Sequence, residues 1–435
     1  MSYRLLAITI FCLMLTFSCK VKKIEPFVSL IQPIQNEAYL EKVKIIGDPC
    51  RDPLNYAPNP EYPDHYPYKV IKVNFHIINN NEGKGNFNEK SGVSYVNTAI
   101  RSANQNLDNL QKMKLPINND TPLIKANLKY ELTPDPNIPG DDGIYFHNDD
   151  DYYYIINRGK NRNNYDRDVF EKFGIQKGEV LNVILQDMHL DSLKSKTFKP
   201  NTNGIAFNTW IKGGLWYHAV KDTIIKNGKQ VIPNKYGPPK QLNHEIGHVF
   251  GLKHSWRRDG CEDTPDHANC WNSTGKAPCE VASNNVMDYN PHRSALTPCQ
   301  IGTWRMSATR NPSKRNLIKK TWCKYNPAKT INIKDEVEWN DCKELQGDVV
   351  IHPGASLIIR CKVALAKGAE ILVKPGGKLF LDGAELYNDC GEEWSGIRRE
   401  QDKQVVGEVF YHRRSSMKNV THPAIFEGLE EDAGT

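Results

Sequence analysis

Two features that mark other classes of protein are missing from this 435-residue sequence. Its 57 lysines and arginines are scattered rather than clustered, and the formal net charge of +6 is small for the length. Without a basic patch we expect no nucleic-acid partner. The apolar run Leu5–Phe17 is too short to cross a bilayer. The hydrophobic and charged contents, 39% and 25%, are instead ordinary for a soluble globular protein of two or three domains.

The N-terminal stretch has the features of an export signal. Arg4 precedes the apolar run, whose length suits the core of a signal peptide. The run ends in Ser18 and Cys19, which resembles a bacterial lipoprotein processing site, so we predict a lipoprotein-type signal peptide over residues 1–19 and lipidation of Cys19. A plain secretory signal is the alternative. Both predict an exported protein, either a lipoprotein of the bacterial outer membrane or cell surface, with the lipid as its membrane contact, or a secreted one.

Export makes the cysteines interpretable. Of the eleven, Cys12 would leave with the signal and Cys19 would carry the lipid. Outside the cytoplasm the remaining cysteines are expected to be mostly disulfide-bonded. They are Cys50, Cys261, Cys270, Cys279, Cys299, Cys323, Cys342, Cys361 and Cys390. Nine is an odd number, which leaves one thiol unpaired, and Cys50 is the isolated one along the sequence.

Three stretches of different character follow the signal. Residues 20–65 lack regular periodicity and contain the proline-rich "DPLNYAPNPEYPDHYP", which predicts a tether or pro-segment. Within residues 66–325, "YKVIKVNFHII", "LIKANLKYEL" and "VLNVILQDM" have strand patterns, and "SGVSYVNTAIRSANQNLDNLQ" has helical spacing with Ser91 or Ser94 as its cap. This order predicts a mixed α/β layer.

The last stretch, residues 331–435, predicts an all-β domain. "IHPGASLII", "LAKGAEILV", "VKPGGKLFL" and "LDGAELYND" each place a glycine turn before a short aliphatic segment. Short strands separated by such turns can stack as the rungs of a β-solenoid, each burying its apolar side on the next. A small β-sandwich fits the same pattern.

The stretch "NHEIGHVFGLKHSW", residues 243–256, has the spacing of a metal site. On a helix, His244 and His248 lie four residues apart and project from the same face. Glu245 lies at the edge of that face, where it can bind a water on the metal without ligating the metal itself. This is the H-E-x-x-H arrangement, in which two imidazoles bind zinc and the carboxylate takes a proton from the water.

The motif continues as H-E-x-x-H-x-x-G-x-x-H, which strengthens the prediction. The helix is expected to begin near Pro239 and to end at Gly251, because glycine readily takes the left-handed conformation of a C-terminal cap. The turn at Gly251 would bring His254 to the same metal. Three neutral imidazoles leave one tetrahedral position open, as a catalytic zinc requires.

The extended pattern resembles the metzincin metallopeptidases, whose signature includes a downstream methionine turn. Met287 in "NNVMDY", 33 residues after His254, supplies that turn. "HSWRRDGCEDTPDHANC", "NNVMDYNP" and "LTPCQIGTWRM" further resemble the pappalysin (cytophagalysin) family of secreted metzincins. These matches run from about residue 240 to 310. The resemblance implies an α/β metzincin catalytic domain, with a mixed twisted sheet, an active-site helix and a loop-rich C-terminal subdomain.

The resemblance also implies an activity and roles for individual residues. The protein would be a zinc-dependent endopeptidase that hydrolyses extended protein segments through zinc-bound water, with Glu245 as the general base. The implied Zn²⁺ ligands are His244, His248 and His254. Met287 would form an apolar floor beneath the three imidazoles. Tyr289 matches a position where several metzincins place a phenol near the metal, and it would stabilise the oxyanion; a core tyrosine with a satisfied hydroxyl is the alternative.

Disulfides and a second metal come from the resemblance as well. It implies two crossed bridges, Cys261–Cys279 and Cys270–Cys299, although four cysteines by themselves allow three connectivities. Relatives often bind Ca²⁺ in this region. The acids that offer oxygen ligands here are Glu262, Asp263, Asp266 and Asp288. Solvated surface acids are the alternative interpretation.

Cys50, in "GDPCRDP", suggests a latency mechanism. A free thiolate that precedes the catalytic domain could occupy the open position on zinc until the segment is removed. A disulfide with a later cysteine and an unpaired surface thiol are the alternatives.

The expected partners are protein or peptide substrates. A substrate would lie extended along an edge strand around "NGIAFNTW" and pair with it by main-chain hydrogen bonds. A second hypothesis from another class is a surface-anchored adhesion or glycan-binding lipoprotein with an inactive first domain. A complete set of ligands and base favours the peptidase.

Overall fold

The computed structural model describes residues 23–43, 47–83, 86–156, 160–188, 204–213, 224–226, 229–231, 237–290 and 292–428. They form a mixed α/β unit and an all-β unit of parallel strands. Within these ranges no helix has the length and apolarity needed to span a membrane. The predicted signal peptide and Cys19 lie outside the described residues.

The first described residues form three short elements. They are β1 (Lys23–Phe27), β2 (Leu30–Pro33) and α1 (Glu37–Val43). Three 3₁₀ turns then lead to the α/β unit, at Pro49–Arg51, Pro53–Tyr56 and Pro63–His65. Each of these turns has proline in its first positions, where the missing N–H removes no helical hydrogen bond.

The α/β unit contains ten strands and five helices among the described residues. The strands are β3 (Lys69–Asn79), β4 (Leu128–Leu132), β5 (Ile144–Asn148), β6 (Tyr154–Ile155), β7 (Leu181–Leu185), β8 (Asp187–Met188), β9 (Gly204–Ala206), β10 (Trp210–Gly213), β11 (Ile224–Lys226) and β12 (Lys229–Val231). The helices are α2 (Glu89–Asp108), α3 (Asp168–Phe173), α4 (Gly237–Val249), α5 (Pro298–Arg310) and α6 (Pro312–Arg315).

The main sheet of this unit is mixed, as the sequence predicts. Its strand order is β4-β3-β7-β10-β9, with β5 beside the second half of β3. All of these pairings are parallel except that of β9 with β10, which is antiparallel and leaves β9 at the end of the order. The central strand β3 is buried along nearly its whole length, which is typical of a parallel strand covered on both faces.

Helix α2 packs on this sheet through the apolar residues that its helical spacing predicts to be buried. Val96, Ile100, Ala103 and Leu107 are all buried in the main core. The expectation of a serine cap is wrong, because the side chain of Asn88 accepts the hydrogen bond from Ser91 N at 2.9 Å. Leu242 and Ile246 of α4 belong to the same core, so α4, which carries the H-E-x-x-H motif, and α2 pack against one common core.

The all-β unit is built from short strands joined by tight turns. They are β13 (Ile331–Ile333), β14 (Glu336–Trp339), β15 (Lys343–Leu345), β16 (Val349–Ile351), β17 (Ser356–Ile359), β18 (Lys362–Leu365), β19 (Glu370–Val373), β20 (Lys378–Leu381), β21 (Glu385–Tyr387), β22 (Trp394–Asp402), β23 (Val405–Val406), β24 (Glu408–Tyr411), β25 (Ser416–Lys418), β26 (Val420–His422) and β27 (Ile425–Phe426).

These strands stack in parallel, three to a turn. One ladder runs β13-β16-β19-β22, a second runs β14-β17-β20-β24, and a third runs β15-β18-β21-β25. Each ladder therefore gains one strand from each turn of the chain, which is the arrangement of a β-solenoid and not of an antiparallel sandwich. At the corners, Gly354 and Gly376 have φ values of 80° and 78°, and Gly354 N donates to Gly376 O at 3.0 Å.

Three elements within residues 20–65, β1, β2 and α1, pack on the solenoid instead of forming an extended tether, and the role of this stretch as a pro-segment stays a prediction. Strand β1 pairs antiparallel with β22, and β2 lies between β24 and β27, parallel to both. Ile31 of β2 and Val43 of α1 are fully buried. A four-residue strand is too short to show periodicity in the sequence, and its structure comes from the neighbours that it pairs with.

Deleting residues 23–43 is expected to destabilise the solenoid. Burial of side chains such as Ile31 and Val43 contributes roughly 1.5–3 kcal/mol each, and the deletion would also break the pairing of β24 with β27 through β2. We expect the free energy of unfolding to fall by at least about 4 kcal/mol, as measured by denaturant unfolding. A chain that lacks only residues 1–22 is the matched control. Equal stability of the two chains would show that this segment is dispensable.

Two disulfides tie the solenoid to the rest of the chain. Cys50 is bonded to Cys361 of the solenoid, and Cys323, which follows α6, is bonded to Cys390. The latency hypothesis is therefore wrong, because Cys50 is bonded to Cys361 and is not a free thiol. The unpaired cysteine among the described residues is Cys342, which is buried.

Candidate metal and catalytic site

Helix α4, which carries the H-E-x-x-H motif, ends where the motif predicts. After Val249, Gly251 takes a φ of 97°, and Leu252 N donates to Gly247 O at 3.0 Å. This closing turn reverses the chain, so that His254 faces the two histidines of the helix.

The three histidines converge on one point. Nε2 of His248 lies 3.2 Å from Nε2 of His244 and 3.2 Å from Nε2 of His254. In two of the rings the other nitrogen is bound to a main-chain carbonyl: Nδ1 of His244 to Val286 O and Nδ1 of His248 to Leu252 O, both at 2.7 Å. Carbonyls only accept, so these Nδ1 atoms carry the protons, and the Nε2 lone pairs point to the common centre.

This geometry fits a tetrahedral metal ion with three nitrogen ligands. Nitrogens that lie about 2.0–2.1 Å from such an ion are about 3.3–3.4 Å apart, close to the spacing here. Burial lowers the pKa of all three histidines, that of His254 to about 4. The rings are therefore neutral near pH 7, as metal binding requires.

Glu245 is held beside this centre by a chain of polar contacts. Its Oε1 accepts a hydrogen bond of 2.6 Å from Nε2 of Gln241, one turn earlier on the helix. The amide oxygen of Gln241 in turn accepts from Nη1 of Arg293. Burial raises the pKa of Glu245 to about 7, and the charge of Arg293 and the bond from Gln241 act against that rise. Glu245 thus has the proton affinity of a group that both takes and gives a proton near neutral pH.

Gly204 is a site residue that the motif analysis missed. It begins the edge strand β9, and a Cβ at this position would lie 2.7 Å from the carboxyl carbon of Glu245. Any other residue at position 204 would push the Glu245 carboxylate out of its present position. The sequence shows a glycine in "NGIAFNTW", but nothing in the sequence predicts its contact with Glu245, 41 positions later.

The methionine turn packs where the sequence predicts an apolar floor. Met287 is fully buried, and its Sδ lies 2.7 Å from the point where a Cβ would stand on Gly247. Gly247 lies between Glu245 and His248 on the helix, so the absence of a side chain there lets the methionine approach the ligand-bearing face. Asn285 Oδ1 accepts from Met287 N at 2.8 Å and shapes the turn.

Tyr289 lies against the histidines. Its ring centroid is 4.8 Å from that of His254 and 6.0 Å from that of His244. Trp256 stacks on the His254 ring at 4.2 Å and lies 4.7 Å from the ring of Tyr289. The ring is half-buried, and burial and the nearby Glu245 raise the pKa of the phenol. Among the described residues the hydroxyl has no hydrogen-bond partner, which does not fit a core tyrosine with a satisfied hydroxyl.

The four acids proposed as calcium ligands do not form a shared site. Asp288 is fully buried and accepts from the hydroxyls of Ser255 and Ser283, with Nε2 of His267 at 3.3 Å. Asp263 accepts from Thr297 Oγ1 at 2.7 Å and from Cys299 N at 2.9 Å, at the start of α5. Glu262 and Asp266 are exposed. The expectation of calcium has no support here.

The disulfide pairing expected from the resemblance is wrong. The bridges are Cys261–Cys299 and Cys270–Cys279, with Cα–Cα distances of 5.6 and 5.2 Å. Asp263 accepts from Cys299 N at the start of α5, which places Cys261, two residues before Asp263, near Cys299. The loop between the other two cysteines closes on itself, because Thr274 N donates to Cys279 O at 2.8 Å.

No family model matches the chain, and no curated protein is similar to it at a significant level. Among solved structures, a complex of the metallopeptidase mirolysin with a compound is 18% identical, with a TM-score of 0.40, and the match covers 58% of this chain and 96% of that one. A glutamate-to-alanine mutant of Tannerella forsythia promirolysin is 17% identical, with a TM-score of 0.38 and coverage of 58% and 84%. Similarity at this level does not define the activity, which must come from the residues themselves.

Proposed function

We propose that the protein is a zinc-dependent endopeptidase of the metzincin type. The observation that carries this proposal is the convergence of three histidine Nε2 atoms beside a buried carboxylate. Main-chain carbonyls fix the tautomers of His244 and His248 with Nε2 free to bind zinc. All three imidazoles are neutral near pH 7, as zinc binding requires. When bound, zinc lowers the pKa of a water ligand toward about 7 and polarises a carbonyl.

Side chains of the protein would transfer the proton, position the general base and stabilise the oxyanion. Glu245 takes a proton from the attacking water and then passes it to the leaving amine. Gln241 holds Oε1 of Glu245, so that the second carboxylate oxygen is the one available for the proton. Tyr289, whose hydroxyl is unbonded within the described residues, donates a hydrogen bond to the oxyanion that develops on the scissile carbonyl.

The substrate would lie along β9. This strand ends the order of the main sheet, so its outer main-chain groups are open to an extended peptide in the part of the chain that the structure describes. Pairing by main-chain hydrogen bonds suits unfolded or loop segments of proteins. Because Gly204 of β9 touches Glu245, such a peptide would pass directly over the carboxylate.

We further propose export. Four disulfides among the described residues are typical of an oxidising compartment, and the N-terminal sequence has the pattern of a lipoprotein signal ending at Cys19. Mass spectrometry of the N-terminus of the mature protein would test lipidation, because an unmodified N-terminus downstream of Cys19 would contradict it.

Removal of the metal is the experiment that tests the proposed activity. The purified chain is expected to contain one zinc per molecule and to cleave a denatured, alkylated protein. A zinc chelator should abolish cleavage, and added zinc should restore it. A folded chain without zinc, or cleavage that resists the chelator, would contradict the proposal. Zinc in a folded chain without any cleavage would favour a binding protein instead.

Substitution of Gly204 by valine tests the contact with Glu245. The new side chain would overlap the carboxylate, and displacement of a catalytic group by about 1 Å can cost a hundredfold in rate. We expect kcat/KM to fall about 10- to 100-fold while the zinc content stays unchanged. The control is Ile205→Val in the same strand, which should retain activity. Full activity of the Gly204→Val variant would show that the carboxylate is free to move.

A further inference from the structure

The third of the converging histidines lacks the anchor that the other two have. His244 and His248 each donate from Nδ1 to a main-chain carbonyl, whereas Nδ1 of His254 has no hydrogen-bond partner among the described residues. The ring of His254 stacks on that of Trp256 at 4.2 Å and meets that of Tyr289 at 4.8 Å. Aromatic contacts allow several arrangements of two rings, so these contacts do not by themselves define the position of His254.

A buried carboxylate holds the residue that follows His254. The hydroxyl of Ser255 donates to Oδ1 of Asp288, and both residues are fully buried. Asp288 lies in the methionine turn between Met287, which packs against α4, and Tyr289, which packs against the histidines. The hydrogen bond from Ser255 therefore ties the main chain beside the third histidine to the methionine turn.

The other oxygen of this carboxylate has two donors of its own. Oδ2 of Asp288 accepts from the hydroxyl of Ser283, and Nε2 of His267 lies 3.3 Å away from it. Nδ1 of His267 is 2.8 Å from Ala268 O, which can only accept a hydrogen bond. Because a carbonyl lies on one side of the ring and a carboxylate on the other, both nitrogens of His267 donate, and the imidazole is charged.

His267 and Asp288 thus form an ion pair inside the protein. Burial acts to lower the pKa of His267, but the bonds to Asp288 and Ala268 raise it above its ordinary value, and the charge of Asp259 adds to this rise. The side chains of the pair are only 7% and 0% exposed. Replacement of a buried ion pair by apolar side chains is often neutral or stabilising, so stability alone does not explain this one.

We propose that Asp288 and His267 are positioning residues for the third metal ligand. Through Ser255 the carboxylate of Asp288 holds the main chain of His254, so that Nε2 of His254 lies 3.2 Å from that of His248. His267 fixes the carboxylate at its other oxygen. This inference rests on the proposed peptidase function, because it concerns the same metal site. It adds residues that lie outside the histidine motif and do not touch the metal.

The test measures the zinc affinity of the full chain by competition with a chelating dye, which needs no turnover. Removal of groups that orient metal ligands typically weakens metal binding 10- to 100-fold. We therefore expect Ser255→Ala and His267→Ala each to raise the zinc dissociation constant about tenfold, and Asp288→Asn about 10- to 100-fold. Ser255→Ala removes only a hydroxyl group, so the inference stays testable even if Asp288→Asn does not fold.

A double variant separates positioning from a general loss of stability. The side chains of Ser255, Asp288 and His267 act in series, so loss of the first link leaves nothing for the last one to hold. The Ser255→Ala/His267→Ala chain should therefore bind zinc about tenfold more weakly than the wild type, like either single variant. Independent effects would multiply to about a hundredfold.

Asp263→Asn is the matched control. Asp263 is a half-buried acid four residues before His267, and it also accepts from a hydroxyl and a main-chain N–H, those of Thr297 and Cys299. Neither donor adjoins a histidine of the metal site in sequence. Thermal unfolding of the zinc-free chains, measured on the same samples, should show a loss of stability for Asp263→Asn, while its zinc affinity stays within about twofold of the wild type.

The outcomes separate this inference from the proposed function. Zinc affinity within about twofold of the wild type in both Ser255→Ala and His267→Ala would overturn the inference, leave the peptidase standing and assign the position of His254 to its stacking on Trp256. An equal loss of affinity in Asp263→Asn would also overturn it. Weaker zinc binding by the variants without cleavage by any zinc-loaded chain would support the inference and contradict the peptidase. A folded wild-type chain that binds no zinc would overturn both.

Discussion

Replacement of Glu245 by alanine is expected to lower kcat about a hundred- to ten-thousandfold, the usual contribution of a general acid–base group. The zinc content should not change, because His244 and His248 keep their anchors at Val286 O and Leu252 O, and the His254 ring keeps its stacking contact with Trp256. The measurement is hydrolysis of a denatured protein under saturating substrate, with zinc determined on the same sample.

The matched control for this substitution is Glu262→Ala. Glu262 is an exposed acid in the loop after the third histidine, and its loss should leave activity within about twofold. Activity of the Glu245→Ala chain close to that of the wild type would show that another group moves the proton. Loss of zinc from that chain would show instead that the carboxylate supports the metal site.

Replacement of Glu344 by alanine is expected to reduce the free energy of unfolding by about 3–5 kcal/mol, because it leaves the buried ammonium of Lys69 without its carboxylate partner, whereas Arg315 keeps Asp389. Glu344 is buried on β15 of the solenoid and pairs with Lys69 on β3 and with Arg315 on α6. Lys69 is itself only 5% exposed. The Lys69–Glu344 ion pair therefore joins the α/β unit to the solenoid. Denaturant unfolding would measure the loss of stability.

An exposed ion pair of the same type is the control. Glu131 and Lys319 form a pair in which the side chains are 42% and 50% exposed, and surface pairs contribute less than about 1 kcal/mol. Glu131→Ala should therefore change stability little. If Glu344→Ala were equally mild, water would have to reach Lys69 and Arg315, and the two units would not be tightly joined at this point.

The local features of the site could be predicted from the sequence because each depends on a short stretch of chain. Helical spacing alone places His244 and His248 on one face, and a glycine two residues beyond the helix is enough to predict the reversal toward His254. The alternation of β3 and the helical spacing of α2 are local in the same way. Their positions in the structure agree with these predictions.

Apart from the cap of α2, where Asn88 replaces the expected serine, the incorrect predictions concern contacts between distant residues. Four cysteines admit three pairings, and the contact of Asp263 with Cys299 N, which places Cys261 near Cys299, forms only in the folded chain. Cys50 is isolated in sequence, yet its partner is 311 residues away. The strand β2 has four residues and no periodicity, and its place in the solenoid depends on β24 and β27.

The sequence by itself determined the grouping of the three histidines and the repeating turns of the solenoid, because imidazole spacing and glycine corners follow from local backbone geometry. Only the tertiary structure decided what surrounds those histidines. Gly204 approaches Glu245 across the sheet, and Arg293 reaches Gln241 from a turn 52 residues away. Such contacts form where separate segments are buried together, and burial is a property of the whole fold.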